Sequence, residues 1–134
     1  MKFDHIGLFV ESLEHGNSEL EKLISISKKS EEYHDPLLQV SVQFLYDSSE
    51  ICYELVAPFG ADSHILSALK NPDKILNHVA YRTQSFDEDI KQLRESGCIP
   101  LGVPQPAIAF GGARVIFFLT PLRLILEIIE APNG

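Results

Sequence analysis

The sequence predicts an α+β fold made of two tandem βαβββ modules, because one pattern of strands, helix and special residues occurs twice. The segments FDHIGLFVESL and LNHVAYRTQSF place His5 and His78 73 residues apart. The same offset relates Glu54 in CYELVAP to Glu127 in ILEIIEAP. A fixed period that carries both the hydrophobic pattern and chemically special residues indicates a duplicated structural unit.

Length and composition favour one domain. A chain of 134 residues, 45% of them hydrophobic, can bury a core without disulfide bonds. We expect a single domain over 1–134, with a first module over 1–61, a connector over 62–74 and a second module over 75–134. The net charge of −8 disfavours binding to nucleic acid or to an anionic membrane surface, since both depend on clustered Lys and Arg.

The sequence also predicts a cytoplasmic location. Residues 1–10 lack the basic start, apolar core and cleavage site of a signal peptide. The longest apolar region, 115–129, is interrupted by a proline and an arginine and is too short to span a bilayer as a helix. Cys52 and Cys98 form no CxxC pair, so we expect two reduced, buried cysteines rather than a disulfide or a thiolate metal site.

The first module alternates strands with one helix. Its predicted elements are a strand over 2–10, a helix from Ser18, and strands over 40–46 and 51–57. The helix is predicted by Leu20, Leu23 and Ile24, which follow helical spacing beside a charged outer face. The strand over 40–46 is predicted by the alternation of apolar and polar side chains.

Two further segments link or follow these elements. Residues 27–36 end in an Asp-Pro pair and predict a loop, with a short strand near Tyr33 as the open alternative. The connector over 62–74 is expected to hold a short helix through Ile65 and Leu69 that ends before a proline.

The second module repeats the order. Its predicted elements are a strand over 75–82, a helix through Phe86, Ile90 and Leu93, a short strand over 98–101, and strands over 113–119 and 122–129. Three carboxylates in the first turn of the helix favour its dipole, and Gly97 ends it. The loop over 102–112 contains two prolines and a Gly-Gly pair, and it is a candidate lid over a neighbouring site.

The repeated histidines and glutamates predict a metal site. Strand residues alternate faces, so a His near the start of the first strand and a Glu within the last strand of each module can share a face. A carboxylate between apolar neighbours is costly to bury unless a cation compensates it. Taken singly, an exposed Glu or a hydrogen-bonded His is the simpler interpretation, but the coincidence at one offset favours one divalent ion: Zn, Ni, Co, Mn or Fe. The predicted ligands are His5, Glu54, His78 and Glu127.

These residues resemble the vicinal oxygen chelate superfamily, which includes glyoxalase I and methylmalonyl-CoA epimerase. The resemblance rests on DHIGLFV, CYELVAP, NHVAYR, GGARVIFFL and LILEIIEAP, and it covers nearly the whole chain. It implies a glyoxalase-like fold, in which the two modules form a cupped mixed sheet around a divalent metal, commonly in a homodimer. The metal positions of the family match the four predicted ligands.

The resemblance further implies a lyase or isomerase of the glyoxalase I or epimerase type. Such an enzyme transfers a proton alpha to a carbonyl through a metal-bound enediolate. Glu127 and Glu54 are the expected catalytic residues, with Glu127 as the base and Glu54 mainly as a ligand. The expected substrate is a small molecule such as a thioester or hemithioacetal. Candidate substrate contacts are Gln43, Phe110 and Arg114.

Two features depart from the epimerase pattern. The last two strands are joined directly through Thr120-Pro121-Leu122, without the usual longer Gly- and Lys-containing loop, and the strand that includes Gln43 offers no second carboxylate. An iron-dependent dioxygenase and a non-catalytic protein that binds a drug or metabolite are the alternatives. A dioxygenase facial triad normally has one carboxylate rather than two, and a binding cup has no evident need for four ligands.

Overall fold

The computed structural model describes residues 1–60 and 77–132, together with positions 63 and 69. The chain divides into two compact units: His5–Asn77, the N-terminal unit, and Met1–Asp4 with His78–Gly134, the C-terminal unit. The predicted connector over 62–74 falls almost wholly outside the described residues. No helix in the described part of the chain is long and apolar enough to cross a membrane.

The N-terminal unit carries one helix on a mixed sheet. Its elements are β1 (Lys2–Phe9, from His5 onward), α1 (Leu13–Leu23), β2 (Ile26–Asp35), β3 (Val40–Asp47) and β4 (Cys52–Pro58). The strands lie in the order β2-β3-β4-β1. β3 pairs antiparallel with both of its neighbours, whereas β1 runs parallel to β4.

Helix α1 begins at Leu13, earlier than the predicted start at Ser18. The Ser12 side chain caps it by accepting a hydrogen bond of 3.0 Å from a backbone N–H in the first turn. Gly16 lowers the helix propensity of this turn, so helical preference alone favours a later start than the structure shows. A Cβ at Gly16 would lie 3.0 Å from both methyl carbons of Val10, so glycine allows the helix to approach the end of β1 closely.

Strand β2 replaces most of the loop predicted over 27–36. Most of its side chains are exposed because it lies at the outer edge of this unit's sheet, so it lacks the alternation that marks a half-buried strand. Asp35 ends the strand by accepting hydrogen bonds from the N–H groups of Leu37 at 3.1 Å and Leu38 at 3.0 Å. The alternative of a strand near Tyr33 is therefore the correct one, and the strand is longer than expected.

The C-terminal unit repeats the arrangement. Its elements are β5 (His78–Thr83), α2 (Phe86–Glu95), β6 (Ile99–Pro100), β7 (Gln105–Ala107), β8 (Ala113–Leu119) and β9 (Ile125–Glu130). The strands lie in the order β5-β9-β8-β6, and β7 also pairs with β8. β5 runs parallel to β9, while β8 is antiparallel to all of its neighbours.

The loop predicted over 102–112 contains regular structure. Gln105–Ala107 forms the short strand β7, and a 3₁₀ turn over Ile108–Phe110 follows it. Gly111 closes that turn with a φ of 65°, a conformation that favours glycine. The prolines of this segment did not prevent pairing, since β7 lies beside only one strand, β8, in the described sheet.

In each unit the helix packs on one face of the sheet. The N-terminal core consists of Leu13, Leu20, Leu45, Leu55 and Ala57. The C-terminal core consists of Phe86, Cys98, Ile116, Phe118, Leu126 and Ile128. The core residues of β4 and β9 flank Glu54 and Glu127, so both glutamates point to the sheet face opposite the helix. Cys52 and Cys98 are both buried, as predicted.

Candidate metal centre

His5 and Glu54 form a buried pair in the N-terminal unit. β1 and β4 are parallel, with Gly7 opposite Glu54. His5 lies two residues before Gly7, and alternation therefore places its side chain on the same face as Glu54. The Nε2 atom of His5 lies 3.4 Å from Oε1 of Glu54, and the two residues are 0% and 4% exposed.

The C-terminal unit repeats this pair in the same register. Ala80 lies opposite Glu127 on the parallel strands β5 and β9, and His78 lies two residues before Ala80. The Nε2 atom of His78 is 3.3 Å from Oε1 of Glu127, and the residues are 2% and 3% exposed. The offset seen in the sequence is therefore also a structural repeat.

The donor atoms of each pair fit a divalent ion. Each of the four predicted ligands offers one ligand atom: an imidazole nitrogen or a carboxylate oxygen. Separations of 3.3 and 3.4 Å are longer than the usual N–H···O distance. Two such donors bound about 2.1 Å from one tetrahedral ion would lie about 3.4 Å apart. A cation would also compensate the cost of burying a carboxylate among apolar strands.

A phenylalanine supports the histidine of the N-terminal pair. Phe44 lies directly opposite Glu54 on the antiparallel strands β3 and β4, and thus on the same face. Its ring meets the His5 ring nearly edge-on, with centroids 6.1 Å apart and an interplanar angle of 70°. Such a contact limits rotation of the imidazole.

Phe117 occupies the equivalent position in the C-terminal unit. It lies opposite Glu127 and packs edge-on against His78, with ring centroids 5.0 Å apart and planes at 89°. Phe44 and Phe117 are 73 residues apart, the offset that relates the histidines and the glutamates. The repeat of Phe44 and Phe117 was not predicted from the sequence because phenylalanine is common in any core, although the spacing carried the signal.

Gln43 lies on the other face of β3. It pairs in register with Leu55 of the helix-facing core. Its Oε1 accepts a hydrogen bond of 2.9 Å from Nδ2 of Asn17 in α1, and its Nε2 donates one of 2.9 Å to the carbonyl oxygen of Ser30 in β2. Gln43 thus links α1 and β2 to β3, and this placement gives no support to the predicted substrate contact.

Arg114 joins three elements of the C-terminal unit. Its Nε donates to Glu130 at 3.2 Å, its Nη1 donates to Asp87 at 3.3 Å, and its guanidinium lies 4.6 Å from the centroid of the Phe86 ring. The hydrogen bond from Arg114 lowers the pKa of the Glu130 carboxyl below its ordinary value. These contacts favour the structural role of Arg114 over the predicted substrate contact.

Phe110 lines an open groove of about 930 Å³ within the C-terminal unit. The groove also includes Gly111, Gly112 and the first turn of α2. The Arg82 guanidinium lies 5.2 Å from the centroid of the Phe110 ring, and its Nε donates to Oδ1 of Asp4 at 2.7 Å. Phe110 therefore borders this groove, and its role as a substrate contact stays a prediction.

Comparisons with known proteins agree with this architecture. A family model described as Glyoxalase/Bleomycin resistance protein/Dioxygenase superfamily matches residues 4–117. No curated protein matches the sequence significantly.

Three solved structures illustrate the likeness of fold. A hypothetical protein from Bacillus halodurans C-125 has a TM-score of 0.80 at 24% identity, over 99% of this chain and 96% of that chain. Methylmalonyl-CoA epimerase from Mycobacterium tuberculosis has a TM-score of 0.73 at 20% identity, over 98% and 89%. A Streptomyces coelicolor methylmalonyl-CoA epimerase variant in complex with 2-nitronate-propionyl-CoA has a TM-score of 0.68 at 19% identity, over 99% of both chains. The predicted α+β, glyoxalase-like fold is confirmed.

Proposed function

This chain belongs to the glyoxalase/bleomycin resistance protein/dioxygenase superfamily, and we propose that it is a divalent-metal-dependent isomerase or lyase that transfers a proton alpha to a carbonyl. The observation that carries the proposal is the buried His–Glu pair, present twice in one register. The fold itself does not require two buried carboxylates among apolar strands, whereas a bound divalent ion would compensate them.

We further propose that both modules belong to one domain. The proposed ligand set is the one predicted from the sequence. The ligands are His5, Glu54, His78 and Glu127. When bound, a divalent ion supplies Lewis acidity toward two neighbouring oxygens of the substrate. The nitrogen and oxygen donors suit Zn, Ni, Co, Mn or Fe without selecting among them.

Glu127 is the proposed base. Its cross-strand neighbour Phe117 is only half-buried, whereas Phe44, which lies opposite Glu54, is buried. The two carboxylates are themselves buried to the same degree, so the half-buried ring beside Glu127, which a substrate can contact, is the feature that distinguishes the two pairs. Glu127 takes the proton from the carbon next to the carbonyl and returns it to that carbon or its neighbour, while Glu54 acts mainly as a ligand.

The proposed substrate is a small acyl thioester or a hemithioacetal. Support comes from the epimerase structures with the same fold, one of which holds 2-nitronate-propionyl-CoA. We also propose a homodimer, as the family resemblance implies.

Proton exchange in deuterated water tests the proposal. Protein purified without a histidine tag and loaded with metal should incorporate deuterium next to the carbonyl of a thioester or hemithioacetal. Glu127→Gln should lose this exchange, and His78→Ala should lose the metal. The matched control is His34→Ala, because His34 is exposed and its Nδ1 lies 2.8 Å from Oγ of Ser41, outside the pairs.

Exchange by the metal-loaded protein that does not depend on Glu127 would contradict the proposed base. Metal content that is unchanged in His78→Ala would contradict the ligand set. Stoichiometric metal without exchange on any substrate would favour the dioxygenase, and no metal after reconstitution would favour the binding protein.

A further inference from the structure

The sheet face that carries Glu127 continues into an open apolar surface within the C-terminal unit. On the antiparallel strands β8 and β9, the cross-strand pair next to Phe117 and Glu127 on this face is Leu119, two residues after Phe117, with Ile125, two residues before Glu127. Leu119 in turn lies opposite Ile99 on β6. Cross-strand partners share a face, so these side chains are on the Glu127 side of the sheet.

The surface is exposed although it is aliphatic. Leu119, Ile99 and Leu101 are 37%, 58% and 53% exposed. The N–H of Leu101 donates to the carbonyl oxygen of Phe117 at 2.9 Å, which extends the β6–β8 ladder by one residue and keeps Leu101 beside Phe117. We call Ile99, Leu101, Leu119 and Ile125 the apolar wall.

Charge distinguishes the two ends of this face. Among the described residues of β6, β8 and β9, Glu127 is the one charged side chain that alternation places on it. On β5, Arg82 lies on the same face, four residues beyond His78, where it borders the groove beside Phe110. One end of the face is thus apolar and the other is polar.

The distance from Glu127 to the apolar wall suits a small substituent of a bound substrate. Two residues of strand separate the Glu127 position from the Ile125 position, or about 7 Å, and the next strand lies about 5 Å further away. A butyl chain or a phenyl ring attached next to the reacting carbon would reach Leu119 from Glu127.

We propose that the apolar wall binds an uncharged alkyl or aryl substituent of the substrate. The substrate is then a carbonyl compound that carries an apolar side group where a second carboxylate could otherwise stand. This inference rests on the proposed function, because the metal-binding oxygens fix where the substituent lies. The wall is continuous with Phe117, which contacts His78. An occupant of the wall is therefore a neighbour of the proposed reacting groups.

Binding of alkyl hydroxamates to the metal-loaded protein tests the inference without turnover, since a hydroxamate presents two vicinal oxygens and one variable chain. For the wild type, the dissociation constant should fall by about fourfold per methylene from acetohydroxamate to pentanohydroxamate. A succinate-derived hydroxamate should bind more weakly than the pentanoyl compound. Leu119→Asp should remove the dependence on chain length, whereas Leu23→Asp, a control at an exposed leucine of α1, should retain it.

Each outcome is decisive. Tight binding of acetohydroxamate with no dependence on chain length would overturn the inference and leave the proposed metal site intact. Loss of the dependence in both variants would also overturn it. A wild-type dimer that Leu119→Asp dissociates, again with no chain-length dependence, would assign the wall to a second copy of the chain. No metal and no hydroxamate binding would overturn the proposed function, and the inference with it.

Discussion

The ring of Phe117 stands edge-on to the ring of His78, with centroids 5.0 Å apart and planes at 89°. This contact orients an imidazole whose Nε2 lies 3.3 Å from the Glu127 carboxylate. Phe44 makes the equivalent contact with His5 at 6.1 Å. A ring fixed in this way loses less freedom when it binds a metal, so the phenylalanines are expected to influence metal affinity as well as packing.

Replacing Phe117 should therefore weaken metal binding. We expect Phe117→Ala to lower metal affinity by about tenfold, because the imidazole loses its support. It should also lower the free energy of unfolding by about 2 kcal/mol, less than for a fully buried ring, since Phe117 is half-buried. Calorimetric metal titration and urea unfolding measure these two effects.

The Phe117→Leu variant separates the effect of orienting the His78 imidazole from the effect of filling buried volume. It retains most of the buried apolar area, so it should cost less than about 1.5 kcal/mol of unfolding free energy. Metal affinity should still fall, because leucine lacks the edge-on contact. Unchanged affinity in both variants would show that Phe117 serves packing alone.

The two glutamates should differ in catalysis. In metal-loaded protein, Glu127→Gln should lower the rate constant of proton exchange by about 10²- to 10⁴-fold, the usual contribution of a positioned base. Glu54→Gln should mainly lower the affinity for the metal, and it should retain most of the proton-exchange rate constant per bound ion. Rate constants measured at saturating metal distinguish the two effects. Equal losses in both variants would contradict the assignment of Glu127 as the base.

The Arg114–Glu130 pair should stabilise the fold at neutral pH only. Arg114 lowers the pKa of Glu130, so the carboxylate is more easily ionised in the folded state than in the unfolded state. This stability is present above the ordinary pKa of a glutamate and is lost as the pH falls through the lowered value. Urea unfolding of the wild type and of Arg114→Met should thus differ at neutral pH and converge in acid.

Convergence of the two unfolding free energies in acid would identify the Arg114–Glu130 ion pair as the cause of their difference at neutral pH. Because Arg114 also contacts Phe86 and Asp87, Glu130→Gln is the matched variant, and it should show the same loss of pH dependence. A difference between the wild type and both variants that stays constant from neutral to acid pH would exclude the ion pair as its source.

Gly16→Ala should destabilise the protein although alanine is the better helix former. The added Cβ would lie 3.0 Å from the Val10 methyls and 3.1 Å from a Leu55 methyl. Overpacking of this kind costs about 1–3 kcal/mol, which exceeds the gain in helix propensity of about 1 kcal/mol. A rise in the unfolding free energy on urea denaturation would show that α1 can move away from β1 without loss.

Much of the candidate site could be predicted from the sequence because its pattern is duplicated. The 73-residue offset identified the histidines and glutamates, and the apolar neighbours of each glutamate indicated a buried strand. Phe44 and Phe117 share the offset but lack distinctive chemistry, so they became visible only through the pairing of β3 with β4 and of β8 with β9.

Other features depend on tertiary contacts that a single sequence does not contain. Strand β2 is polar because it is an edge strand, and the start of α1 depends on how closely Gly16 approaches Val10. The position of Gln43 follows from the register of β3 against β4, which places it opposite Leu55 rather than Glu54. Propensity and periodicity describe local preference, and these features were decided by packing.

The stoichiometry of metal binding tests the central claim most directly, namely that the two His–Glu pairs hold one ion. Calorimetric titration of metal-free protein should give one site per chain, and His5→Ala, His78→Ala and the double variant should each lose most of the affinity, with losses that are far from additive. His34→Ala should match the wild type. Two independent sites per chain, or a site that survives in His5→Ala with unchanged affinity, would contradict the claim.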